Sequence, residues 1–378
     1  MGEGQQFYPQ NIGVHMNTPC YVTRPLMPTE QEYAAYVSRI FASQHLTNHG
    51  PFSQELEIRL AQFLETPRVN VCANGTIALQ LGLHVLGMAG KTVITTPFTY
   101  VATLSALLWE GCNVVFADID EETCCLDPQS VAERLTPETA GILPVHIYGN
   151  ICDVDSLDAL AKNHDLRVLY DAAHSFGASY NNRSLLSYGD AAACSFHATK
   201  VFNTVEGGCL VTQTDEAREA FLLMRAYGHQ GNQHFRLGIN AKLSELHAAM
   251  GLCILDKVRE NIAERSIVSA MYDALLPDKG LRRPALRQGL IWNHAYYPVI
   301  LDDEKILERI VHTLAKDNIF PRRYFYPSLN TLPYIKNALP CPVAESVARR
   351  VLCLPLYAGL EEEIVERIAH CINHCLEG

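Results

Sequence analysis

The sequence predicts an α/β protein with a mostly parallel central sheet flanked by helices, followed by a smaller α+β C-terminal domain. Two observations predict this class. Short apolar segments alternate with amphipathic segments at close spacing between residues 53 and 175, which is typical of βαβ units. After Leu237 the pattern changes to one long helical stretch, followed by mixed short strands and helices. We therefore expect a large domain over residues 1–253, including an N-terminal segment, and a small domain over residues 254–378.

The large domain is predicted to begin with two helices. Thr29 is a typical N-cap residue at the start of a helical period over 27–43, and a second amphipathic helix covers 53–65. Short apolar runs then predict strands at 68–73, 91–97, 113–120, 140–146 and 167–175. Helical segments connect these strands at 74–88, 100–111, 127–135 and 154–165. Two further strands, at 191–196 and 207–212, enclose a loop with a single lysine.

The small domain is predicted to be joined by a helix rather than by a flexible linker. Residues 242–276 have a helical period with at most a slight break. Beyond them we expect a strand at 294–301 and helices at 304–318 and 361–377.

The composition narrows the class of protein. A net charge of −11 argues against general nucleic-acid binding. The sequence has no apolar window of membrane-spanning length and no secretory signal pattern. The thirteen cysteines are odd in number and irregularly spaced, so we interpret them as reduced thiols of a cytoplasmic protein.

One group of cysteines and histidines near the C-terminus has two interpretations. The pairs His370/His374 and Cys371/Cys375 are spaced i,i+4 on a predicted helix, which is a metal-binding spacing. The same spacing arises in an amphipathic helix whose small apolar cysteines face inward. We adopt the second interpretation and expect no metal.

Three features are predicted at strand ends, where ligands bind in open α/β sheets. Asn74, Gly75 and Thr76 open a helix directly after a strand, which suits a phosphate but also an ordinary helix cap. Asp171 ends an apolar strand, where it is either a cap or the partner of a cation. Lys200 follows 29 residues later, where it is either a solvated side chain or a buried, chemically used amine.

Together these features fit pyridoxal 5′-phosphate (PLP) better than any of them does alone. A lysine can bond to the cofactor's aldehyde, and a carboxylate can keep the pyridine nitrogen protonated so that the ring accepts electrons. Phe98 and Tyr100 are candidates to stack on that ring, and Ser195 could add a hydroxyl to the phosphate site.

The sequence resembles the DegT/DnrJ/EryC1/StrS aminotransferases, which are sugar aminotransferases of PLP fold type I (aspartate-aminotransferase-like). Characteristic motifs include "TTPFTYVAT", "YDAAHSFGA" and "GDAAACSFHATK". The resemblance covers nearly the whole chain, in the family's order, at residues 45–57, 74–83, 95–103, 143–150, 170–178, 189–200, 206–208, 238–251 and 353–360.

This resemblance implies a role for each matching residue. Lys200 would be the catalytic lysine bonded to the cofactor, and its presence argues against a branch of the family that dehydrates sugars with a histidine there. Asp171 would pair with the pyridine nitrogen, and His174 would lie near the 3-hydroxyl. The remaining cofactor-binding residues would be Gly75, Thr76 and Ser195 at the phosphate, Tyr100 at the ring and Asn240 from the neighbouring subunit of a homodimer.

The resemblance also implies a substrate. The family's branch that makes dTDP-4-amino-4,6-dideoxyglucose is the most similar, so we expect L-glutamate to aminate C4 of a dTDP-linked 4-keto-6-deoxyhexose for surface polysaccharide. Alternatives are C3 or UDP-sugar amination, transamination of small amino or keto acids, and PLP binding without catalysis. Candidate substrate-binding residues are Lys242, Arg322, Arg323 and Tyr326, and Arg282 and Arg283 are further candidates for the diphosphate. Lys242 and Asn330 depart from the residues common in the family, in stretches that shape the sugar-nucleotide site.

Overall fold

The computed structural model describes residues 18–377. Its α-helices are α1 (Glu30–Ser43), α2 (Pro51–Phe63), α3 (Gly75–Val85), α4 (Val101–Trp109), α5 (Pro128–Arg134), α6 (Val154–Asn163), α7 (Asp215–Met224), α8 (Glu245–Ile254), α9 (Val258–Leu275), α10 (Glu304–Lys316), α11 (Pro342–Arg350) and α12 (Glu362–Glu377).

Its strands are β1 (Cys20–Tyr21), β2 (Val69–Cys72), β3 (Thr92–Thr95), β4 (Asn113–Phe116), β5 (Thr139–Leu143), β6 (Arg167–Asp171), β7 (Ser179–Tyr180), β8 (Arg183–Ser184), β9 (Ala191–Ser195), β10 (Gly208–Thr212), β11 (His229–Gln230), β12 (Gln233–His234), β13 (Leu281–Arg282), β14 (Leu290–Ile291), β15 (Tyr297–Leu301), β16 (Ile319–Phe320) and β17 (Val351–Leu354).

Seven strands form the central sheet in the order β2-β10-β9-β6-β5-β3-β4. β10 runs antiparallel to both of its neighbours, and the other pairs are parallel. β2, β3 and β10 are buried along their whole length, as expected when helices cover both faces. The predicted α/β class with a mostly parallel sheet is therefore confirmed.

Local sequence signals account for the helix starts. Thr29 forms a capping box with Glu32, which fixes the beginning of α1 as predicted. The Asn74 side chain accepts the backbone N–H of Ile77 and so caps α3. The helical stretch at 242–276 is broken by a 3₁₀ turn at Leu255–Lys257, which separates α8 from α9.

The C-terminal part has its own three-stranded sheet, in the order β13-β15-β17. Buried residues of β15, β17, α10 and α12 form a hydrophobic cluster with residues of α9. This cluster supports a small domain, and we keep the boundary between residues 253 and 254 as a proposal. Residues 1–17 of the proposed large domain and Gly378 of the small one lie outside the described residues. Pairing of β1 with β16 was not predicted, because two-residue strands carry no periodic signal.

The cysteine and histidine group lies on α12. His370 and His374 are exposed, whereas Cys375 is buried and Cys371 is half-buried, which supports the amphipathic-helix interpretation. Across residues 18–377, no three His, Cys, Asp or Glu side chains cluster in a way that could hold a metal ion. Over the same residues, no helix is long and apolar enough to cross a membrane.

Candidate active site

A cavity of about 530 Å³ opens at the carboxyl edge of the central sheet. The ends of β6 and β9 and the starts of α3 and α4, with the cap residue Asn74 after β2, form its floor. Its remaining wall comes from the loop between β9 and β10 and from Tyr296, Arg322, Tyr324 and Phe325. The strand ends therefore converge on one cavity, as the sequence predicted.

A second cavity, of about 560 Å³, lies at the opposite edge of the sheet, around Arg167 and Asp190. These two side chains form an ion pair with each other. None of the predicted site residues lines this cavity. Its slightly larger volume is therefore no reason to prefer it as the active site.

Lys200 lies in the cavity, in the loop between β9 and β10. Its expected position at a strand end was wrong, because β9 ends five residues earlier, at Ser195. The Lys200 Nζ donates a hydrogen bond to the Tyr296 hydroxyl at 3.3 Å. The protein atoms around the amine exclude water, which disfavours the charged form and lowers the pKa of Lys200. The nearby charge of Asp171 partly opposes this shift. The amine is therefore more readily deprotonated than an ordinary lysine.

Asp171 is the last residue of β6 and is almost fully buried. Its Oδ2 accepts a hydrogen bond from Thr103 Oγ1 at 2.8 Å, and its Oδ1 accepts one from the N–H of Ala173 at 3.0 Å. Burial raises the pKa of Asp171, and these two donors and the charge of Lys200 oppose the rise. A buried carboxylate held by two donors is suited to pair with a protonated ring nitrogen.

The start of α3 packs directly against the end of β9. A Cβ placed on Gly75 would lie 2.8 Å from the Ser195 Cβ, so only glycine allows this close approach. The first N–H groups of a helix have no acceptor within it and carry partial positive charge. With Thr76 and Ser195 also lining the cavity, this corner has the composition of a phosphate site.

His174 lines the cavity, and its ring stacks on Phe325 with 5.7 Å between ring centroids. Its Nδ1 accepts the N–H of Tyr148 at 3.2 Å, so the neutral ring carries its hydrogen on Nε2. Burial lowers the pKa of His174 well below its usual range, and Lys200 adds to this effect. His174 is therefore a neutral hydrogen-bond donor.

The two aromatic candidates for stacking differ in position and exposure. Tyr100 lines the cavity as the N-cap residue of α4, and its side chain is 55% exposed. Phe98 is fully buried and packs against Tyr148 and Phe325. The positions therefore favour Tyr100 as the residue that stacks on a ligand.

Four other predicted residues do not line this chain's cavity. The Lys242 Nζ donates to Asn240 Oδ1 at 2.6 Å; Asn240 is exposed and Lys242 is half-buried. Arg323 stacks on Tyr326 and forms an ion pair with Glu304 at 2.6 Å. Among the candidate diphosphate cations, only Arg322 is in the cavity wall.

The remaining arginine candidates have structural partners. Arg282 donates to the carbonyl oxygen of Glu121, and Arg283 forms an ion pair with Asp273 and lies over the Tyr297 ring. Asn330 donates to Glu345 at 2.7 Å, outside the cavity lining. These contacts explain the side-chain positions without a ligand.

Sequence reasoning missed several residues of the site: Thr103, which donates a hydrogen bond to Asp171, and Tyr296, Tyr324 and Phe325, which line the cavity. Thr103 could have been found from its place one turn after Tyr100 in α4, at a predicted strand-to-helix turn. Tyr296, Tyr324 and Phe325 carry no local signal, because they reach the cavity through the packing of the C-terminal part against the sheet.

The cavity thus combines a phosphate corner, a buried carboxylate and a lysine, and these residues fit PLP. The fold and this site define the class of a PLP-dependent aminotransferase. A model of the DegT/DnrJ/EryC1/StrS aminotransferase family matches residues 28–373, and the chain belongs to that family. A solved structure of a similar protein, the putative sugar aminotransferase Spr1654 of Streptococcus pneumoniae, is the PLP form, with 25% identity, a TM-score of 0.86, and coverage of 94% of this chain and 99% of that one. The predicted cofactor and enzyme class are confirmed.

Known relatives align over almost their entire length. A dTDP-4-amino-4,6-dideoxy-D-glucose transaminase of Shigella dysenteriae is 38% identical, over 95% of this chain and 99% of its own. A UDP-2-acetamido-2-deoxy-3-oxo-D-glucuronate aminotransferase of Pseudomonas aeruginosa is 34% identical, over 86% and 91%. The crystal structure of DesI in the presence of its TDP-sugar product has a TM-score of 0.90 and 33% identity, over 96% and 94%.

Proposed function

We propose that this enzyme transfers the amino group of L-glutamate to C4 of dTDP-4-keto-6-deoxyglucose, giving dTDP-4-amino-4,6-dideoxyglucose. The observation that carries this proposal is the 38% identity with a transaminase of that name, over nearly all of both chains. The likeness to DesI, solved with a TDP-sugar product, also supports a dTDP-linked substrate. A role in surface polysaccharide synthesis in the cytoplasm follows from the same proposal.

The cavity residues supply the proposed chemistry around PLP. When bound, PLP provides an electron sink for the carbon that loses its proton. Lys200 would hold the cofactor covalently at rest, and its free Nζ, with a lowered pKa, would accept and return a proton during transfer. Asp171 would accept a hydrogen bond from the ring nitrogen and so favour the protonated form of the ring.

The other cofactor residues hold PLP in place. The backbone N–H groups of Gly75 and Thr76 and the hydroxyl of Ser195, at the positive end of α3, would hold the phosphate. Tyr100 would stack on the ring. His174 donates a hydrogen bond from Nε2, because its Nδ1 is already occupied by the N–H of Tyr148.

A homodimer with shared active sites would explain the predicted residues that lie outside the cavity. Asn240 and Lys242 lie beside a group of exposed apolar side chains: Tyr227, Phe235, Leu237 and Ile239, the third of them 82% exposed. Exposed apolar groups of this kind are typical of subunit interfaces. In our proposal Asn240 reaches the PLP phosphate of the partner subunit, and Lys242 reaches its substrate.

The cavity wall favours a sugar without an acidic group. Arg322, which we assign to the diphosphate, is the arginine of this wall, and its neighbours Tyr296, Tyr324 and Phe325 are aromatic. A glucuronate, as in the name of the Pseudomonas aeruginosa relative, carries a carboxylate that needs a further cation. The methyl group of a 6-deoxy sugar instead suits an apolar wall. Arg323 and Tyr326 remain candidates for contacts outside the cavity.

The test is a substrate panel. The purified enzyme with PLP and L-glutamate is incubated with dTDP-4-keto-6-deoxyglucose, its 3-keto isomer and UDP-linked 4-ketosugars, and the products are identified by mass spectrometry. We expect amination of the first compound. Amination of the 3-keto isomer alone or of a UDP-sugar alone would refute the assignment, and activity on free keto acids only would indicate a small-molecule transaminase. A cofactor band that glutamate fails to bleach would indicate a PLP-binding protein without catalysis.

A further inference from the structure

Lys200 has one neighbour whose position the proposed cofactor contacts do not explain. The Tyr296 hydroxyl lies 3.3 Å from the Lys200 Nζ, and the amine is 5.8 Å from the centre of the same ring. Tyr296 is 5% exposed and precedes β15, almost a hundred residues beyond the lysine. A buried hydroxyl that faces the reacting amine can affect the amine's position and its protonation.

Edge-to-face contacts with other rings fix the Tyr296 ring from three sides. The centroid distances are 5.1 Å to His174, 5.5 Å to Tyr324 and 6.1 Å to Tyr148. Burial raises the pKa of the Tyr296 phenol, so the hydroxyl stays neutral at physiological pH. A neutral phenol can accept a hydrogen bond from an ammonium group or donate one to a neutral amine.

One turn of α9 holds the backbone segments that carry both groups. The Asn261 side chain donates to the carbonyl oxygen of Val201, the residue after Lys200, at 2.9 Å. Arg265 donates to the carbonyl oxygens of His294 and Ala295, directly before Tyr296, at 3.2 and 3.3 Å.

The two α9 side chains also hold each other. Arg265 Nε donates to Asn261 Oδ1 at 3.4 Å, and Arg265 Nη1 donates to the carbonyl oxygen of Leu356 at 3.1 Å. Arg265 is 1% exposed, and the oxygens that accept these hydrogen bonds belong to neutral amide groups. Burying an arginine without a carboxylate is costly, so its carbonyl contacts indicate that the position of these segments matters.

We propose that Tyr296 is a further catalytic residue, which holds the free amine of Lys200 during transfer, and that Asn261 and Arg265 are positioning residues for this pair. The inference rests on the proposed role of Lys200. When the amine is released from the cofactor, its flexible four-carbon chain lets it swing away from the carbons between which the proton moves. The Tyr296 hydroxyl gives it a fixed partner, which restricts that motion while the amine moves the proton.

The first test is Tyr296→Phe, with Tyr272→Phe as the matched control. Tyr272 is also buried, but its hydroxyl donates to Pro355, and its ring packs in the C-terminal cluster. We expect kcat of Tyr296→Phe to fall about 10- to 100-fold, with KM for the ketosugar within about twofold. The control should keep kcat. An unchanged kcat in Tyr296→Phe would overturn the inference.

A second readout uses the cofactor-free protein. Competitive acetylation of Lys200 across a pH series, read by peptide mass spectrometry, measures the pKa of its amine. Losing the oxygen that accepts the ammonium's hydrogen bond should lower this pKa by about one unit, and an unchanged value would contradict the contact. The titratable or charged groups that interact with the pair are Tyr100, Tyr148, Asp171, His174, Cys194, Arg265, Tyr324 and Cys353.

The positioning role is tested by a double-mutant cycle. Asn261→Ala should lower kcat, and adding Tyr296→Phe should lower it little further if both act through one contact. If the falls in kcat from the two substitutions were additive, Asn261 would not act through the contact between Tyr296 and Lys200. Because Arg265→Gln is informative only if it folds, the double-mutant cycle with Asn261 decides whether the positioning role is correct. Full turnover by Lys200→Ala would overturn the proposed function itself, whereas a lysine-dependent enzyme that is indifferent to Tyr296 would overturn only this inference.

Discussion

Replacing Gly75 with alanine should weaken PLP binding more than it weakens the fold. The new Cβ would lie 2.8 Å from the Ser195 Cβ and 3.1 Å from its Cα, whereas carbon atoms pack best at about 3.5–4.0 Å. One partner must therefore move by about 1 Å. β9 is held between β10 and β6 in the middle of the sheet, so the displacement falls on the start of α3.

The size of the effect follows from this displacement. Overpacking of this kind costs about 1–3 kcal/mol, which corresponds to about a 5- to 150-fold rise in the Kd for PLP if the strain is concentrated at the phosphate corner. The stability change should be smaller, because the displacement falls on the first residue of α3 and leaves the rest of the helix and the sheet in place.

The assay is a titration of cofactor-free protein with PLP, followed by visible absorption, together with thermal unfolding. Gly82→Ala is the matched control, because its Cβ would meet methyl groups of Leu169 and Leu210 at 3.0–3.2 Å in the same helix, away from the cavity. We expect the control to keep its affinity for PLP even where its thermal stability changes, because its contacts lie away from the cavity. A wild-type Kd in Gly75→Ala, or an equal loss of affinity in Gly82→Ala, would refute the reasoning.

Three further predictions concern the proposed roles. Lys200→Ala should abolish transamination and the visible absorption of the bound cofactor, while the circular dichroism spectrum stays unchanged. The control is Lys162→Ala, at an exposed lysine. Normal turnover without Lys200 would contradict the mechanism. Asp171→Asn should bind PLP yet lose at least about 10-fold in kcat, because the ring nitrogen loses its anionic partner; full activity would reduce Asp171 to a structural residue. Mixing inactive Lys200→Ala and Asn240→Ala proteins should restore partial activity through hybrid dimers, and a fully active Asn240→Ala or a fully active monomer by light scattering would exclude a shared site.

The fold and the cavity floor could be predicted because their signals are local. Gly75, Asp171 and Ser195 each lie within a few residues of the end of an apolar run, and the ends of parallel strands meet at one edge of a sheet. The position of Lys200 at the same edge of the sheet could also be predicted, but not that it lies in a loop, five residues beyond the end of β9. The family resemblance, rather than the pattern, supplied the reaction and the substrate.

The rest of the cavity could not be predicted for a physical reason. Tyr296 and Phe325 reach the lysine through tertiary packing, which has no periodic signature in the chain. The buried pair Asn261 and Arg265 looks in the sequence like the polar face of an ordinary amphipathic helix. Only the structure shows that these side chains face carbonyl groups instead of water.

The cavity's floor and its remaining wall come from stretches of chain that are far apart in sequence. The floor uses residues 74–195, whereas the aromatic wall with Arg322 uses Tyr296, directly before β15, and the short segment 322–325. In our proposal, Tyr296 serves the chemistry at Lys200, whereas Arg322 and its neighbours face the sugar nucleotide, so the segment 322–325 could change while the cofactor site stays the same. A chimera that takes residues 322–330 from a relative with a different sugar should accept the new sugar while keeping the parent's cofactor spectrum. Such a segment exchange would be a short route to new amino sugars.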